Sequence, residues 1–436
     1  MLRATSALAL LGLLLVCGAR SEAAPPLPPV IAAAGDIACD PADASFNGGQ
    51  GTATACRMKA TSDLMLGLGL TAVLLLGDNQ YENGTLAKYQ ASYDPTWGRL
   101  NAIVRPVPGN HEYLTAGAAG YFSYFGAAAG DPAKGYFSYD LDGWHLIALN
   151  SNCAAVGGCG AGTPQTQWLA ADLAAHPGTC TLAYWHHPRF SSGPHGNDAT
   201  SDAFWQALYS AGADVILNGH DHIYERFAPQ SPAGAADPLQ GIRQFTVGTG
   251  GKNLTSIQVV RANSEVRNAS AFGVLEMTLH SNGYTWRFLS ASGGTVLDKG
   301  ASLCHSALPW PDTDLYTLPP CRVVDTRRPN GTLGGPALAG ASTRGFPLLG
   351  SCGIPADAVA VVANVTAVGP TSSGDLEVFP TGIPPAGMGT LHFKAGQVRA
   401  NNSVLAVGVG GEVSVRTALS AAGTVHFVVD VSGYFR

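Results

Sequence analysis

The sequence is poor in charged residues. Only 12% of its 436 residues are charged, and the formal net charge is −6. It has no basic run and no stripe of interleaved basic and aromatic residues, which argues against a nucleic-acid groove. It also has no Cys-x-x-Cys pair, so a thiolate metal site is a weak interpretation of its cysteines. Apolar residues make up 46% of the chain, which favours a compact protein with a buried core over a disordered one.

Long apolar runs are also missing, except for one near the N-terminus. Residues 7–16 are mostly apolar, follow Arg3 and lead to small residues that end at Ala24. This run is too short to cross a hydrocarbon core of about 30 Å, so it predicts a signal peptide over residues 1–24 and no membrane span. A lipid on Cys17 is an alternative, but Val16 stands where a small residue is needed. We therefore expect a secreted protein, extracellular, periplasmic or at the cell surface.

Removal of the signal peptide leaves eight cysteines, an even number in an exported chain. Disulfide bonds are therefore expected, although the sequence permits about 105 ways of pairing the cysteines. Nearness along the chain favours three pairs, and the two remaining cysteines would then fasten the end of the first domain. The favoured pairs are Cys39–Cys56, Cys153–Cys159, Cys321–Cys352 and Cys180–Cys304.

Residues 25–305 alternate short apolar runs with stretches of helical spacing, which indicates an α/β domain. Each apolar run stops at a polar motif. The predicted strands of this type are Val30–Ala34, Ala72–Leu76, Ile103–Val107, Thr181–Trp185 and Val215–Leu217. The predicted helices are Thr54–Gly67, Trp168–His176 and Asp202–Ala211, and hairpins are predicted around Asp142-Gly143 and Asn282-Gly283. Together these elements predict mixed sheets with helices outside them.

The character of the sequence changes near residue 306. Four prolines between residues 306 and 320 predict a stiff linker. Over residues 321–436, β-branched runs alternate with Gly, Pro and Asn turns, and no stretch has sustained helical spacing. The predicted strands here are Ala358–Val368, Leu376–Phe379, Val404–Val409, Val413–Val415 and Val425–Val431. The pattern indicates a smaller all-β domain, either a sandwich or a barrel.

Five polar motifs follow the predicted strands of the first domain. They supply carboxylate, amide, phenol and imidazole groups, which are oxygen and nitrogen donors for metal ions. Strand ends of an open α/β sheet converge on one crevice, so these donors are expected to lie together. There are enough donors for two ions, which can activate water beside a phosphoryl group. The motifs are Gly35-Asp36, Gly77-Asp78-Asn79-Gln80-Tyr81, Gly109-Asn110-His111-Glu112, His186-His187-Pro188 and Gly219-His220-Asp221-His222.

Over residues 32–285 these motifs resemble the purple acid phosphatase branch of the calcineurin-like metallophosphoesterases. The family pattern is GDxG, GDxxY, GNHE, VxxH and GHxH, and the second, third and fifth motifs match it in full. Ala38 replaces the last glycine of the first motif and Ala183 the valine of the fourth, and neither position supplies a metal donor. The resemblance implies a four-layer αββα sandwich and a metal-dependent phosphoric ester hydrolase of the acid phosphatase type.

The resemblance also implies a binuclear metal site in which two ions share the Asp78 carboxylate. A phenolate from Tyr81 suits Fe(III), and a divalent Zn, Mn or Fe is expected as the second ion. The alternative for Tyr81 is a packing role with its hydroxyl satisfied elsewhere. The implied ligands are Asp36, Asp78, Tyr81 and His222 for the first ion, and Asp78, Asn110, His186 and His220 for the second.

The roles in catalysis follow from the same resemblance. A hydroxide held by the ions would attack phosphorus in line, and His111 would contact the phosphate or protonate the departing alkoxide. Asp78 and His111 are therefore the expected catalytic residues, and Glu112 is expected to orient His111. Four residues are candidates for substrate contact, with capping or solvated roles as the alternative for the last two. They are Asn110, His111, His187 and His195.

We expect the chain to hydrolyse small phosphate monoesters. A phosphodiesterase or nucleotidase with the same ions is one alternative, and a cell-surface binding protein with a vestigial phosphatase domain is another. The C-terminal domain resembles a module of exported bacterial proteins, through the segments Cys321–Arg327, Ala400–Asn402 and Asp430–Phe435. Attachment to the cell envelope, binding of glycans and simple stabilisation are all open as roles for this module.

Overall fold

A computed structural model describes residues 27–307, 313–383, 385, 389–420 and 422–436. The predicted signal peptide and Cys17 lie outside the described residues. The strands in chain order are β1 (Val30–Ala34), β2 (Ala72–Leu76), β3 (Val104–Val107), β4 (Phe137–Leu141), β5 (Trp144–Ala148), β6 (Cys180–Tyr184), β7 (Val215–Asn218), β8 (Tyr224–Phe227), β9 (Arg243–Val247), β10 (Ser264–Asn268), β11 (Gly273–His280), β12 (Gly283–Ser290), β13 (Val296–Leu303), β14 (Leu315–Asp325), β15 (Leu338–Ala339), β16 (Thr343–Pro347), β17 (Ala360–Val368), β18 (Gly374–Pro380), β19 (Leu391–Phe393), β20 (Arg399–Ala406), β21 (Glu412–Ala418) and β22 (Thr424–Phe435).

The helices are short. They are α1 (Met58–Met65), α2 (Leu86–Lys88), α3 (Ala119–Phe125), α4 (Pro164–Ala175) and α5 (Asp202–Ser210), with a π segment at Tyr89–Tyr93. Short 3-10 segments lie at Asn47–Gly49, Trp97–Ile103, Glu112–Leu114, Ala116–Ala118, Gly126–Ala129, Cys153–Ala155, Ala199–Ser201, His305–Ala307 and Val409–Gly411. Within the described residues, no helix has both the length and the apolar character needed to cross a bilayer.

Two sheets build the first part of the fold. Sheet I has six strands in the order β13-β12-β11-β1-β2-β3, and sheet II has seven in the order β10-β8-β9-β7-β6-β5-β4. Strands β1, β2 and β3 are parallel, as are β5, β6, β7 and β9. The two predicted hairpins are the antiparallel pairs β4–β5 and β11–β12. The strands that precede the five motifs therefore form parallel groups within the two sheets.

Sheets I and II pack face to face with helices outside. Leu74 of sheet I and Leu182 of sheet II belong to one buried apolar cluster. Leu169 of α4 and Phe204 of α5 pack in a second cluster on the other face of sheet II. Helix α1 buries Met58 against sheet I. This arrangement confirms the predicted αββα layers, since each sheet has one face on its partner and one face on helices.

The last part of the chain is built from two further sheets. Sheet III has the order β14-β22-β17-β20, with β15 also paired to β22, and sheet IV has the order β16-β21-β18-β19. Val361 and Phe427 of sheet III share one buried cluster with Phe346 and Val415 of sheet IV. The predicted all-β region is therefore a sandwich of two sheets, with the core between them.

The predicted linker over residues 306–320 is too long. Strand β14 begins at Leu315, which lies opposite Phe435 of β22. Pro319 and Pro320 fall in a stretch where the register of this pairing shifts, so neither proline has to donate a ladder hydrogen bond. Prolines are ordinarily excluded from regular strands. Because of Pro319 and Pro320, the sequence predicted a linker where the first half of β14 lies.

The structure contains all four favoured disulfide bonds: Cys39–Cys56, Cys153–Cys159, Cys180–Cys304 and Cys321–Cys352. The Cα atoms of the pairs are 5.1–5.9 Å apart. The Cys180–Cys304 bond spans 124 positions and joins the start of β6 to the residue after β13. It therefore links sheet II to the end of sheet I.

Candidate metal centre

The five motifs meet where the parallel strands of sheets I and II end. The backbone N–H of Asp36 donates to the carbonyl of Gly77 at 3.0 Å, which joins the loops after β1 and β2. In sheet II, the N–H of Gly219 donates to the carbonyl of His186 at 3.0 Å. The N–H of His220 donates to the Asp36 carboxylate at 2.8 Å, which connects the two sheets. Hydrogen bonds within the protein thus hold together the loops that carry the motifs.

Three motif residues have a left-handed backbone conformation. The φ angle is 60° at Asp36, 47° at Asp78 and 72° at His220. Each follows the glycine that ends its strand. Such angles cost non-glycine residues about 1 kcal/mol or more, and they persist where the surrounding structure holds them. In this conformation the side chains of Asp36, Asp78 and His220 contact the other donors at the strand ends.

Two motif glycines are required because their neighbours approach very closely. A Cβ atom on Gly77 would lie 2.6 Å from Nδ1 of His186, and the φ angle of Gly77 is +85°. A Cβ atom on Gly109 would collide with both the side chain and the backbone of Asp78. These motifs therefore need glycine so that the donor side chains can lie side by side.

The residues predicted to hold the first ion surround the Tyr81 hydroxyl. Tyr81 Oη lies 2.8 Å from Oδ1 of Asp36, 3.1 Å from Oδ2 of Asp78 and 3.0 Å from Nε2 of His222. The Nε2 atom of His222 is also 3.3 Å from Oδ1 of Asp36. Four donor atoms from three motifs therefore face one another.

The residues predicted to hold the second ion surround Nε2 of His186. This nitrogen lies 3.2 Å from Oδ2 of Asp78, 3.1 Å from Oδ1 of Asn110 and 3.2 Å from Nδ1 of His220. Nδ1 of His186 donates to the carbonyl oxygen of Leu76 at 2.8 Å, which turns Nε2 toward the cluster. Because Oδ2 of Asp78 is near both groups, this carboxylate is positioned to be shared.

The chemistry of this donor set fits metal cations. The ligand atoms of Asp36, Asp78 and His186 all lie within 4.8 Å of one another, and all three residues are buried. Burial opposes protonation of His186, yet the carboxylates of Asp78 and Asp36 raise its pKa to about 9. Burial and the same two carboxylates raise the pKa of the Tyr81 phenol well above its usual value. The two carboxylates thus favour positive charge beside them, and a phenolate there requires a strongly charged cation beside it.

His111 lies at the open side of this cluster. Its Nδ1 atom is 2.6 Å from the backbone carbonyl of Glu82, so Nε2 is the nitrogen that faces the site. Nε2 is 3.9 Å from Oδ2 of Asp78, and the ring lies against Tyr81 with centroids 4.3 Å apart. The backbone N–H of His111 donates to Oδ1 of Asp78 at 2.9 Å. His111 is therefore held by backbone contacts on both sides.

The expectation that Glu112 orients His111 is wrong. Glu112 is fully buried, and its carboxylate accepts the backbone N–H groups of Gly109, Asn79 and Gln80 at 2.7, 3.0 and 3.1 Å. The hydroxyl of Tyr89 donates a fourth hydrogen bond at 3.0 Å. Glu112 therefore fixes the loops after β2 and β3 relative to each other, and none of these hydrogen bonds reaches the imidazole of His111.

The two remaining predicted residues, His187 and His195, flank His220. The ring centroid of His187 lies 4.5 Å and that of His195 lies 4.0 Å from that of His220. The Ser151 hydroxyl lies 2.8 Å from Nδ1 of His187, and Asp221 accepts a hydrogen bond from Nδ1 of His195 at 2.7 Å. The side chain of His195 is 53% exposed, so it faces solvent at the mouth of the site.

Sequence reasoning missed Ser151 and Asp221. Asp221 is fully buried, and it accepts hydrogen bonds from the side chain of His195 and from the hydroxyl of Ser191. The sequence signal for Asp221 is its position in the fifth motif, between His220 and His222. Ser151 lies just beyond β5, whose end carries the polar run Asn150-Ser151-Asn152. That run is a sixth strand end with polar residues, and the five-motif pattern did not include it.

The comparisons with known proteins agree with this geometry. Residues 57–224 match the family model of the calcineurin-like phosphoesterases. Purple acid phosphatase 15 of Arabidopsis thaliana is 31% identical over 191 residues, which cover 35% of this chain and 35% of that protein. Acid phosphatase A of Cryphonectria parasitica is 29% identical over 147 residues, which cover 31% of this chain and 29% of that protein. The chain thus spans about a third of the length of these curated relatives.

The fold comparison points to the same group. The purple acid phosphatase PPD1 from yellow lupin (Lupinus luteus) seeds matches with a TM-score of 0.52 at 17% identity, over 65% of this chain and 57% of that chain. At this identity the match is one of fold, and the family model and the relatives add the match in sequence. The part of the chain that carries the five motifs is therefore similar in sequence to the calcineurin-like phosphoesterases and to purple acid phosphatases, and it shares the fold of the lupin enzyme.

Proposed function

We propose that this chain is a secreted phosphatase that uses two metal ions to hydrolyse small phosphate monoesters. The observation that carries the proposal is the convergence of seven side chains from five strand ends on a single shared carboxylate. Oδ2 of Asp78 is 3.1 Å from Oη of Tyr81 and 3.2 Å from Nε2 of His186. A site with this donor set at a strand-end crevice is suited to phosphoryl chemistry.

The proposed assignment of ligands follows the two groups of contacts. Asp78 would serve both ions, and the other six residues would serve one ion each. Two cations, when bound, would polarise water and neutralise charge on the phosphoryl oxygens. The Tyr81 phenol, as a hard anionic donor, favours Fe(III) at the first position, and we propose Zn, Mn or Fe as the divalent ion at the second. The other residues are Asp36, Tyr81 and His222 for the first ion, and Asn110, His186 and His220 for the second.

His111 is the proposed acid of the reaction. Its Nδ1 atom is engaged by the carbonyl of Glu82, so the protonated ring offers Nε2–H to the phosphate or to the departing alkoxide. The contact between its backbone and Asp78 fixes its place beside the shared carboxylate. Asn110 and His195 would contribute further polar contacts to the phosphate from the open side, and the half-buried His187 would support His220.

The distribution of exposure supports a small substrate that is approached from one side. The side chains of Asp36 and Asp78 are 0% and 3% exposed, whereas those of His111 and His195 are 23% and 53% exposed. The anionic donors Asp36 and Asp78 are therefore shielded, whereas His111 and His195 present imidazoles to solvent. Neutral or cationic imidazoles suit the negative charge of a phosphate ester better than carboxylates would.

Four disulfide bonds within the described residues support the secreted location. Disulfides persist in oxidising compartments and are rare in a reducing cytosol. Both parts of the fold carry them, since Cys39–Cys56 lies in the first part and Cys321–Cys352 in the last. We therefore propose an extracellular, periplasmic or cell-surface enzyme.

The test compares hydrolysis of p-nitrophenyl phosphate with that of bis(p-nitrophenyl) phosphate, together with elemental analysis of the purified chain. We expect about two metal ions per chain and faster turnover of the monoester. Asp78→Asn and His220→Ala should each lower turnover by at least about 100-fold. The control variants Asp142→Asn and His392→Ala change exposed residues outside the site and should leave turnover unchanged.

Three outcomes would count against the proposal. Faster hydrolysis of the diester would replace it with a phosphodiesterase. Full metal content without release of phosphate from either ester would support a vestigial site. Unchanged turnover in both Asp78→Asn and His220→Ala would contradict the assignment of the site itself.

A further inference from the structure

Sheet III carries a row of four polar side chains that lie directly opposite one another on adjacent strands. Arg322 of β14 pairs with Asp430 of β22, Asp430 pairs with Asn364 of β17, and Asn364 pairs with Asn402 of β20. Directly opposed residues share one face of a sheet. Three of the four come from the C-terminal segments that the sequence singled out. We call these four residues the polar row.

The polar row faces away from the core. On β17, Ala363 and Val365 are buried, whereas Asn364 between them is partly exposed. The side chain of Arg322 is 41% exposed and that of Asp430 is 29% exposed, and Asn402 is exposed. The row is therefore accessible to a ligand along its whole length, across four strands.

Arg322 and Asp430 form a preorganised pair. Nε and Nη2 of Arg322 donate to Oδ1 and Oδ2 of Asp430 at 2.8 and 3.0 Å. This bidentate geometry fixes two planar groups edge to edge, and their opposite charges cancel. The other two members of the row are uncharged amides. The row therefore offers several donors and acceptors with no net charge.

The two amides are available to a ligand. In the part of the chain that the structure describes, neither the Asn364 nor the Asn402 side chain makes a hydrogen bond to another residue. Both line a shallow cavity of about 540 Å³ together with the polar row's ion pair, Ser432 and Pro320. Each amide has two donors and an acceptor to offer.

An apolar strip runs beside the polar row. Val362 of β17 lies opposite Val404 of β20. On the face that carries the polar row, this pair is next to the pair Asn364 and Asn402. Val404 is 61% exposed, and Val362 also lines the cavity. A ligand on this face thus meets a line of hydrogen-bonding groups and, next to it, a line of methyl groups.

We propose that the polar row and the Val362–Val404 strip bind a neutral oligosaccharide. Sugars present vicinal hydroxyls at their rims, which match the two amides and the remaining lone pairs of the Asp430 carboxylate, and they present apolar C–H faces, which match the valines. Neutrality of the row makes it a poor site for polyanions, because no uncompensated positive charge is present within it. This binding function is separate from the proposed phosphatase site and does not depend on it.

Affinity electrophoresis of the full chain tests the proposal. The gels contain one polysaccharide each: laminarin, xylan, galactomannan or glycol chitin as neutral probes, and polygalacturonate as the anionic probe. We expect retarded migration with at least one neutral polysaccharide. Arg322→Ala and Asn402→Ala should each weaken that binding by about tenfold or more. Asn402→Ala removes an amide that bonds to hydroxyl groups, and Arg322→Ala removes the partner that holds the Asp430 carboxylate in place.

Controls separate binding from folding. Lys394→Ala changes an exposed charge on the turn after β19 and should leave migration unchanged. Asn402→Ala removes an exposed amide on an edge strand, so its melting temperature and its turnover of p-nitrophenyl phosphate should equal those of the parent chain. The proposal is overturned if no neutral polysaccharide retards the chain, if only polygalacturonate does so, or if both Arg322→Ala and Asn402→Ala bind as well as the parent.

Discussion

The carboxylate of Glu112 accepts a hydrogen bond from the backbone N–H of Gly109 at 2.7 Å. Both residues belong to the motif whose histidine, His111, Glu112 is expected to orient. The same carboxylate accepts two N–H groups of the loop after β2. One buried side chain therefore sets the distance between the loop that carries Asp78 and the loop that carries Asn110. The first prediction concerns this link.

Glu112→Gln should destabilise the fold and loosen the site. An amide has one acceptor oxygen where the carboxylate has two, so at least one buried N–H group loses its partner, at a cost of about 1–3 kcal/mol. The measurement is the free energy of unfolding in urea together with metal content. The exposed Glu265→Gln serves as the matched variant in which a smaller effect is expected. Equal stability of Glu112→Gln and the parent chain would show that the carboxylate does not hold the loops.

Asn110→Ala should weaken binding of the second ion. The Asn110 carbonyl oxygen is 3.1 Å from Nε2 of His186, and alanine removes this oxygen without adding charge. We expect loss of one metal equivalent on dialysis and turnover reduced by at least about 100-fold. Asn152→Ala, which changes an amide in the neighbouring loop, is the matched variant. Full metal content and normal turnover in Asn110→Ala would contradict the proposed ligand set.

Tyr81→Phe should abolish colour. A phenolate bound to Fe(III) absorbs visible light, and phenylalanine keeps the ring but removes the oxygen that faces Asp36 and His222. The purified parent chain should be coloured after mild oxidation, and the variant should be colourless with less iron. Tyr113→Phe, outside the donor cluster, should keep the colour. A colourless parent chain without iron would refute Fe(III) at this position and would leave a site for two other ions.

Asp298 should make stability depend on pH in the acid range. It lies on β13, and its Oδ2 atom accepts hydrogen bonds from Tyr224 Oη and Arg226 Nε of β8, both at 2.7 Å, which joins sheets I and II. Burial opposes the charged form, but Arg226 and Tyr224 lower the pKa of Asp298 below its usual value. A lowered carboxyl pKa contributes stability that is complete above about pH 4 and is lost as the pH falls through the folded-state value.

Asp298→Asn should therefore differ most from the parent chain near neutral pH. We expect a loss of about 1–3 kcal/mol at pH 7, because Arg226 and Tyr224 lose a charged, buried acceptor and Arg226 keeps only the more exposed Glu265 as a partner. The difference should shrink below about pH 4, where the unfolded parent chain takes up a proton on Asp298 before the folded chain does, and it should be lost as the pH falls through the folded-state pKa. Urea unfolding at pH 7, 5 and 3 measures this trend. Asp142→Asn, in an exposed turn, should show no such trend, and a difference for Asp298→Asn that grows toward low pH would contradict the assignment.

Local pattern predicted much of the first part of the fold. Strands β1 and β2 have the bounds that the sequence predicted, Val30–Ala34 and Ala72–Leu76. Both are continuous apolar runs because both faces of each strand are covered, and each ends at a motif glycine. The donor side chains could be predicted for the same reason, since parallel strands bring their ends to one edge.

Contacts between distant segments could not be predicted in this way. The pairing of Asp221 with His195 depends on how the long loop after β6 folds back, and nothing local specifies that path. Strand β20 covers Arg399–Ala406, whereas the apolar run predicted Val404–Val409. The first half of β20 is polar because it lies at an exposed edge of sheet III. The alternation of apolar and polar residues that predicts a strand is therefore missing there. The left-handed conformations of Asp36 and Asp78 likewise arise from packing rather than residue type.

The position of β1 has a consequence for the whole molecule. This strand, the first in the described chain, is central in sheet I, with β2 on one side and β11 on the other, so that Val30 lies opposite Thr278. A nascent chain cannot finish this layer until the segment around Thr278 has been synthesised, which makes folding depend on contacts of very long range. Deletions that reach either Val30 or Thr278 should thus abolish the proposed hydrolysis of p-nitrophenyl phosphate, even though neither residue belongs to the candidate metal centre.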